Sequence, residues 1–456
     1  MTARRRVVLL AAATGGTWLA TAAPASAHGL GGRTDLPLPV WMFVYGAAGA
    51  VVVSFAALAA FWPVARLQGG VAGVALAPAS RTGWTAAVAG AARAVGVVLF
   101  LVVLGAAVFG PAEAADNLAP AAVYIVFWVG LMFASALVGE VWRAISPFPA
   151  LAAAVDRLRG RPAGEPYLLG HWPAVGLLFG FVWLELAYPD RADPRLLAVA
   201  VILYTAVVVA GAARWGDPFL RQGEAFAAFF GLLAAMAPVY VDDEGRHRLR
   251  PPLTGLASME VLPGTVALIL VALGSTTFDG LSRTRLWVDR FGGLGKWPLT
   301  VALTLGLVAT IGLVGGAYVV AMKVAAARTG RELHQTTRLF AHTLVPIVFA
   351  YGVAHYFSYL LFEGQSVISL ASDPFGRGWD VFGTAERAID YRVVSPRVVS
   401  WVQVGAIVSG HVAGVVLAHD RALATFPARD ATRSQYPLLA AMVLFTVGGL
   451  TLLLST

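Results

Sequence analysis

The side chains suited to chemistry gather late in this chain. One apolar stretch, Arg338 to Phe362 (RLFAHTLVPIVFAYGVAHYFSYLLF), carries His342 and His355. Another starts at Val398, carries Gln403 and His411, and ends at His419-Asp420. A third closes on GSTTFDGLS, which sets Asp279 behind Ser275, Thr276 and Thr277. Imidazoles and carboxylates can exchange protons, activate water or ligate a divalent ion. Here they lie in stretches long enough to cross a bilayer, where ionisable groups are costly and mark function by default.

At a rise of about 1.5 Å per residue, His342 lies near one edge of its span and His411 about two turns in from His419, so these two are expected at one depth. His355 falls roughly 20 Å further along, near Gln403 and near the end where Asp279 emerges. Two polar layers are therefore expected. Glu185 and Glu363 end spans on the outer side, and Glu140 and Glu260 on the inner. The simpler roles are to bond a neighbouring helix, to cap a backbone, or to meet water.

With no cysteine, any metal must use His, Asp or Glu. The candidate ligands are His28, His342, His355, His411, His419 and Asp420, for zinc, manganese or copper. His28 is included because Arg4-Arg5-Arg6, an apolar run and Ala25-Ser26-Ala27 have the order of a signal peptide over residues 1–27. Cleavage there would leave His28 first, with its amine and imidazole able to chelate one ion. The separation of 13 between His342 and His355 suits paired haem ligands, but His411 and His419 are only 8 apart, which supports one haem at most.

The elements that must hold these groups follow from composition. The chain is 58% hydrophobic and 13% charged, which excludes a soluble fold, and no polar stretch is long enough for a separate domain. Residues 28–456 read as one all-α integral membrane domain in a lipid bilayer, with about ten transmembrane helices. The spans run approximately Val40–Trp62, Val88–Phe109, Pro120–Trp142, Trp172–Tyr188, Leu196–Ala213, Val261–Phe278, Pro298–Met322, Arg338–Phe362, Val398–Ala418 and Pro437–Leu454.

An eleventh segment, Ala225–Tyr240, is short. It sets Phe226, Phe229, Phe230 and Leu233 at helical spacing with Ala and Gly opposite, and is expected to be interfacial or re-entrant. That choice leaves Arg66, Arg81 and Arg93, and also Lys323, Arg328 and Arg331, on the cytoplasmic side of a plasma membrane, as the positive-inside bias requires. Both mature termini then lie outside, and Asp242–Pro252 forms a cytoplasmic turn or hairpin. The net charge of +8, or +5 without the three signal arginines, serves orientation and not nucleic-acid binding.

No G-x-x-x-x-G-K-[ST], H-E-x-x-H or G-x-S-x-G is present, so a nucleotide-driven pump, a zinc protease of that type and an esterase elbow have no support. Several segments together resemble a family of polytopic membrane proteins named fenitrothion hydrolase. They are AHGLGGRTDLP at Ala27, GDPF at Gly216, LRPPL at Leu249, GSTTFDG at Gly274, the His342–His355 helix and GHVAGVVLAHDRA at Gly410. The resemblance covers most of the chain. It implies hydrolysis of a small lipophilic organophosphorus triester, in which water displaces a phenolate and a divalent metal can assist. By residue type His355, His411 and Asp279 are the catalytic candidates. The alternative is a transporter passing a proton or metal ion, copper above all, between the two layers.

Overall fold

In the computed structural model, residues 39–68, 73–75, 83–160, 164–242 and 246–454 are described. The expected signal segment and His28 lie outside them. In chain order the main helices are α1 (Val40–Phe61), α2 (Gly83–Phe109), α3 (Leu118–Val138), α4 (Phe148–Arg159), α5 (Trp172–Leu186) and α6 (Pro194–Trp215). There follow α7 (Ala225–Ala234), α8 (Thr265–Ser282), α9 (Lys296–Thr329), α10 (Val345–Phe362), α11 (Pro396–Thr425) and α12 (Ala428–Leu454). Among the described residues nine helical segments are long and apolar enough to cross a membrane. They match the expected spans except the fourth, where α5 has only 15 residues.

Helices dominate because lipid offers no partner for a backbone N–H or C=O, so each segment must satisfy its own. Where the sequence breaks that pattern, the chain supplies a substitute. The span expected to run unbroken from Arg338 is interrupted by a 3₁₀ turn at Ala341–Leu344. Pro346 has no N–H to give the His342 carbonyl four residues earlier, so the regular ladder cannot pass through. Within α3, residues Ala122–Gly130 are π-helical, a wider winding often met at functional sites.

Although short, α5 runs beside α8 from end to end. His171, just before α5, meets Thr265 at the start of α8 (Nδ1 to Oγ1, 3.0 Å), and Glu185 near the end of α5 lies in the field of Asp279. From 171 to 185 and from 265 to 279 the chain advances the same number of residues, so the two helices cover one depth.

The two faces of the bundle differ. On one, β1 (Val74–Ala75) pairs antiparallel with β3 (His247–Leu249), which pairs antiparallel with β2 (Val239–Val241), in the register Val74 and Val239 opposite Leu249. The β2–β3 pair is the hairpin expected over Asp242–Pro252. The opposite face carries the long connection 363–395. It is ordered by its own bonds, such as the Gln365 amide with Asp390 and the Tyr391 hydroxyl donating to Glu363 (3.0 Å).

The segment expected to be interfacial or re-entrant does not lie on a surface. Its helix, α7, is buried on every side: Ala225, Ala228 and Ala234 are as covered as Phe226, Phe229 and Phe230. The alternation of large and small residues fits neighbouring helices and not a lipid surface, since Phe226 packs edge-on against Phe127 and Phe181. Both ends are closed by charged side chains. The Glu224 carboxylate caps the start (2.6 Å to Ala227 N) and also accepts from Trp142 Nε1 (3.0 Å). Arg250, beside β3, donates to the Ala234 and Ala237 carbonyls at the finish (2.8 and 2.9 Å). A carboxylate at the amino end and a guanidinium at the carboxyl end both complement the helix dipole.

Two tests follow from this packing. Arg250→Met, by stranding the buried Ala237 carbonyl and leaving that of Ala234 only the Ala237 amide, is expected to cost about 1–3 kcal/mol, read as a lower unfolding temperature in detergent. Burial lowers His171 to about 4 from its ordinary 6.5. Between those values the unfolded chain holds a proton that the folded chain does not. Stability is thus complete above pH 6.5 and falls on acidification toward pH 4, by up to about 3 kcal/mol. His171→Asn should flatten that part of the pH–stability curve.

Candidate functional site

Asp279 occupies the last full turn of α8 and Arg283 follows one turn later, so both project from one side of the helix end. The Asp279 side chain is only 4% exposed, while Arg283 reaches out at 60%. Opposite stands α10, with His355 and Tyr356. His355 Nε2 lies 2.6 Å from Asp279 Oδ2, and the Tyr356 hydroxyl donates to the same oxygen (3.3 Å). Arg283 Nε donates to Oδ1 (2.9 Å) and its Nη2 to Oδ2 (3.3 Å). Asp279 and His355, expected at one depth, are in direct contact.

Because Asp279 can only accept, the His355 proton sits on Nε2, and Nδ1 has no bonded partner among the described residues. A proton arriving at Nδ1 would place its charge against the Asp279 carboxylate. Glu185 adds a second negative group: its Oε2 is buried without a hydrogen bond, in the field of Asp279, Arg283 and Arg191. Tyr124 and Trp128 of the π-helical stretch belong to the same end of the bundle, the Tyr124 hydroxyl donating to the Arg191 carbonyl (2.9 Å). Arg283 lies outside the membrane-spanning part and is held more basic than usual by Asp279, despite partial burial.

The three hydroxyls before Asp279 take no part. Ser275 and Thr276 donate to the Ala272 carbonyl (3.1 and 3.0 Å) and Thr277 to that of Leu273 (2.8 Å). They satisfy their own helix. Arg283 and Tyr356 were not singled out from the sequence, yet both carry a signal: one turn beyond Asp279 and next to His355.

The remaining candidates stand apart. His411 is fully buried on α11, its Nδ1 donating to the Ile407 carbonyl (2.8 Å), which leaves Nε2 an acceptor without a partner. A Cβ at Gly410 would fall 2.7 Å from the Pro346 carbonyl oxygen, and one at Gly414 2.8 Å from that of Thr343. This register sets His411 level with Pro346–Ala350, whereas His342 rests near the Leu339 and Leu417 carbonyls with Nε2 outside bonding geometry. The shared depth expected for His342 and His411 is not found; about one and a half turns separate them. Gln403 is buried, its Oε1 unpartnered.

His419 and Asp420 hold the chain that leaves α1. The two His419 nitrogens face the Gln435 side-chain and Trp62 backbone oxygens, each at 3.1 Å. Asp420, fully buried, accepts from Trp62 Nε1 (3.1 Å), from the Arg66 and Leu67 amides (2.5 and 3.2 Å) and from Gln68 Nε2 (3.0 Å). Four donors making five contacts on one carboxylate form an anchor with little left for an ion.

Among the described residues no group of three or more His, Asp or Glu is placed to hold a metal. At the Asp279 cluster both carboxylate oxygens are engaged and Arg283 supplies the compensating charge, so these side chains as arranged do not fit a divalent ion. In comparison with known proteins, no family model, curated protein or solved structure matches the chain.

Asp279→Ala would leave His355 and Tyr356 facing an empty buried site, and is expected to cost about 3–5 kcal/mol. Asp279→Asn, which keeps the shape, should cost clearly less. Thermal unfolding of the two variants in one detergent checks the order.

Proposed function

We propose that this multi-pass protein moves protons across the plasma membrane through a site built on Asp279 and His355. The reading rests on one observation: a carboxylate and an imidazole in bonding contact, both largely buried, on two membrane helices. Such a pair is expensive in lipid and earns its place by binding and releasing a proton. Tyr356 and Arg283 hold Asp279 in position, and Glu185 offers a second carboxylate beside them. In this reading α5 is a tenth crossing and α7 re-enters from the sheet face. That face is cytoplasmic, and both termini are outside.

A second reading is hydrolysis of an organophosphorus triester, favoured by the same contact. A carboxylate that orients an imidazole through one nitrogen leaves the other free to take a proton from water. Arg283 is within reach of charge developing on phosphorus-bound oxygen. A zinc, manganese or copper ion assisting that reaction would need ligands from beyond this cluster, with His28 the candidate.

The deciding experiment uses proteoliposomes with a trapped pH dye and an imposed pH difference, run beside an assay for nitrophenolate release from a triester. Proton flux in the native protein, reduced at least about tenfold in Asp279→Asn and His355→Gln, is the expected result. Phenolate release that depends on the same two residues, without flux, would replace transport by hydrolysis.

A further inference from the structure

At the sheet face, far from Asp279, a cleft of about 320 Å³ opens between the end of α3 and the starts of α5 and α7. At its rim Arg143 pairs with Glu140 (2.7 Å) and Arg221 with Asp217 (2.5 Å), all four side chains at least half exposed. These surface pairs cancel in charge. Glu224 does not cancel. It is 1% exposed, and its donors are all neutral: Trp142 Nε1, the Tyr204 hydroxyl and the amides of Phe226 and Ala227. Glu224 is thus the lining carboxylate with no cationic partner among the described residues, beside walls formed by Trp142, Phe148 and Phe230.

His171 lines the same cleft and is 7% exposed. Thr265 Oγ1 accepts from the Leu262 amide (2.9 Å), and its own proton has His171 Nδ1 as partner (3.0 Å). With Nδ1 assigned as acceptor of the Thr265 proton, which has no other acceptor among the described residues, the imidazole proton is on Nε2, which itself meets no acceptor among them. Burial keeps this ring uncharged at neutral pH, so it adds no positive charge to the cleft.

From the unmatched Glu224 carboxylate, the aromatic walls and the open His171 donor, we infer that the cleft binds a small organic cation that also carries a hydrogen-bond acceptor. An aromatic amine with an ether or hydroxyl oxygen is the class that fits. The ammonium group lies against the aromatic rings in the field of Glu224, and the oxygen takes the Nε2–H of His171. This ligand site is independent of proton movement at Asp279.

The test is titration calorimetry on the full-length protein in detergent at pH 7.5, with four probes of similar size. They are 2-phenoxyethylammonium, 3-phenylpropylammonium, neutral 2-phenoxyethanol and anionic phenoxyacetate. The first is expected to bind at least about tenfold more tightly than the alcohol, with phenoxyacetate weakest. Replacing the ether oxygen by CH₂, as in 3-phenylpropylammonium, should weaken binding, and His171→Phe should erase that difference. Glu224→Gln should remove the preference for cations. If that variant does not fold, the probe series on the native protein decides alone. Equal or tighter binding of the alcohol or the anion, or no binding by any probe, overturns the inference. Proton flux does not enter, so failure here leaves the Asp279 reading where it stood.

Discussion

In lipid a polar group finds no water, and most of this structure can be read as the ways the chain meets that constraint. Long runs of Ala, Leu and Val meet it by winding into helices that bond only to themselves. The irregular places need named side chains. Glu224 and Arg250 close the two ends of α7, a helix too short to reach across and too deeply buried to borrow water. Asp420 gathers the backbone amides of Arg66 and Leu67 where the chain leaves α1, and Asn117 secures the turn before α3 by accepting from Ala119 and donating to Ala106 and Pro111. Each is a single residue doing the work that a shell of water does in a soluble protein.

Asp279 obeys the same rule but to different effect. Asp420 is satisfied chiefly by backbone amides and neutral side chains, which do not titrate. Asp279 is satisfied by three ionisable side chains, His355, Tyr356 and Arg283. That difference in partners separates an anchor from a candidate site, although both are buried carboxylates at the ends of membrane helices. The parallel run of α5 and α8 then places Glu185 beside Asp279 at one face and His171 beside Thr265 at the other, so two polar centres share a pair of rigid struts.

Where the sequence and the structure part company, the cause is visible in particular residues. The register of α11 against α10, with Gly410 against Pro346 and Gly414 against Thr343, separates His342 from His411 in depth, and spacing within either helix does not set that register. The Phe and Leu face of α7, with Ala and Gly opposite, reads as an interfacial face in the linear sequence, yet small residues also allow a neighbouring helix to come close, and here both faces are buried. His419 and Asp420 look like a metal-binding pair until the chain after Trp62 is seen folded over them.

The sequence by itself determined the membrane class, the main apolar spans, and the depth at which Asp279 and His355 would lie. Those are one-dimensional properties, set by hydropathy and by the rise of a helix. Only the tertiary structure decided which helices stand side by side. It brought α8 against α10 to join Asp279 with His355, withdrew α7 into the bundle, and turned His419 and Asp420 to holding the chain after α1. Spacing along a helix fixes height, whereas adjacency depends on how side chains from distant segments fill one another's gaps.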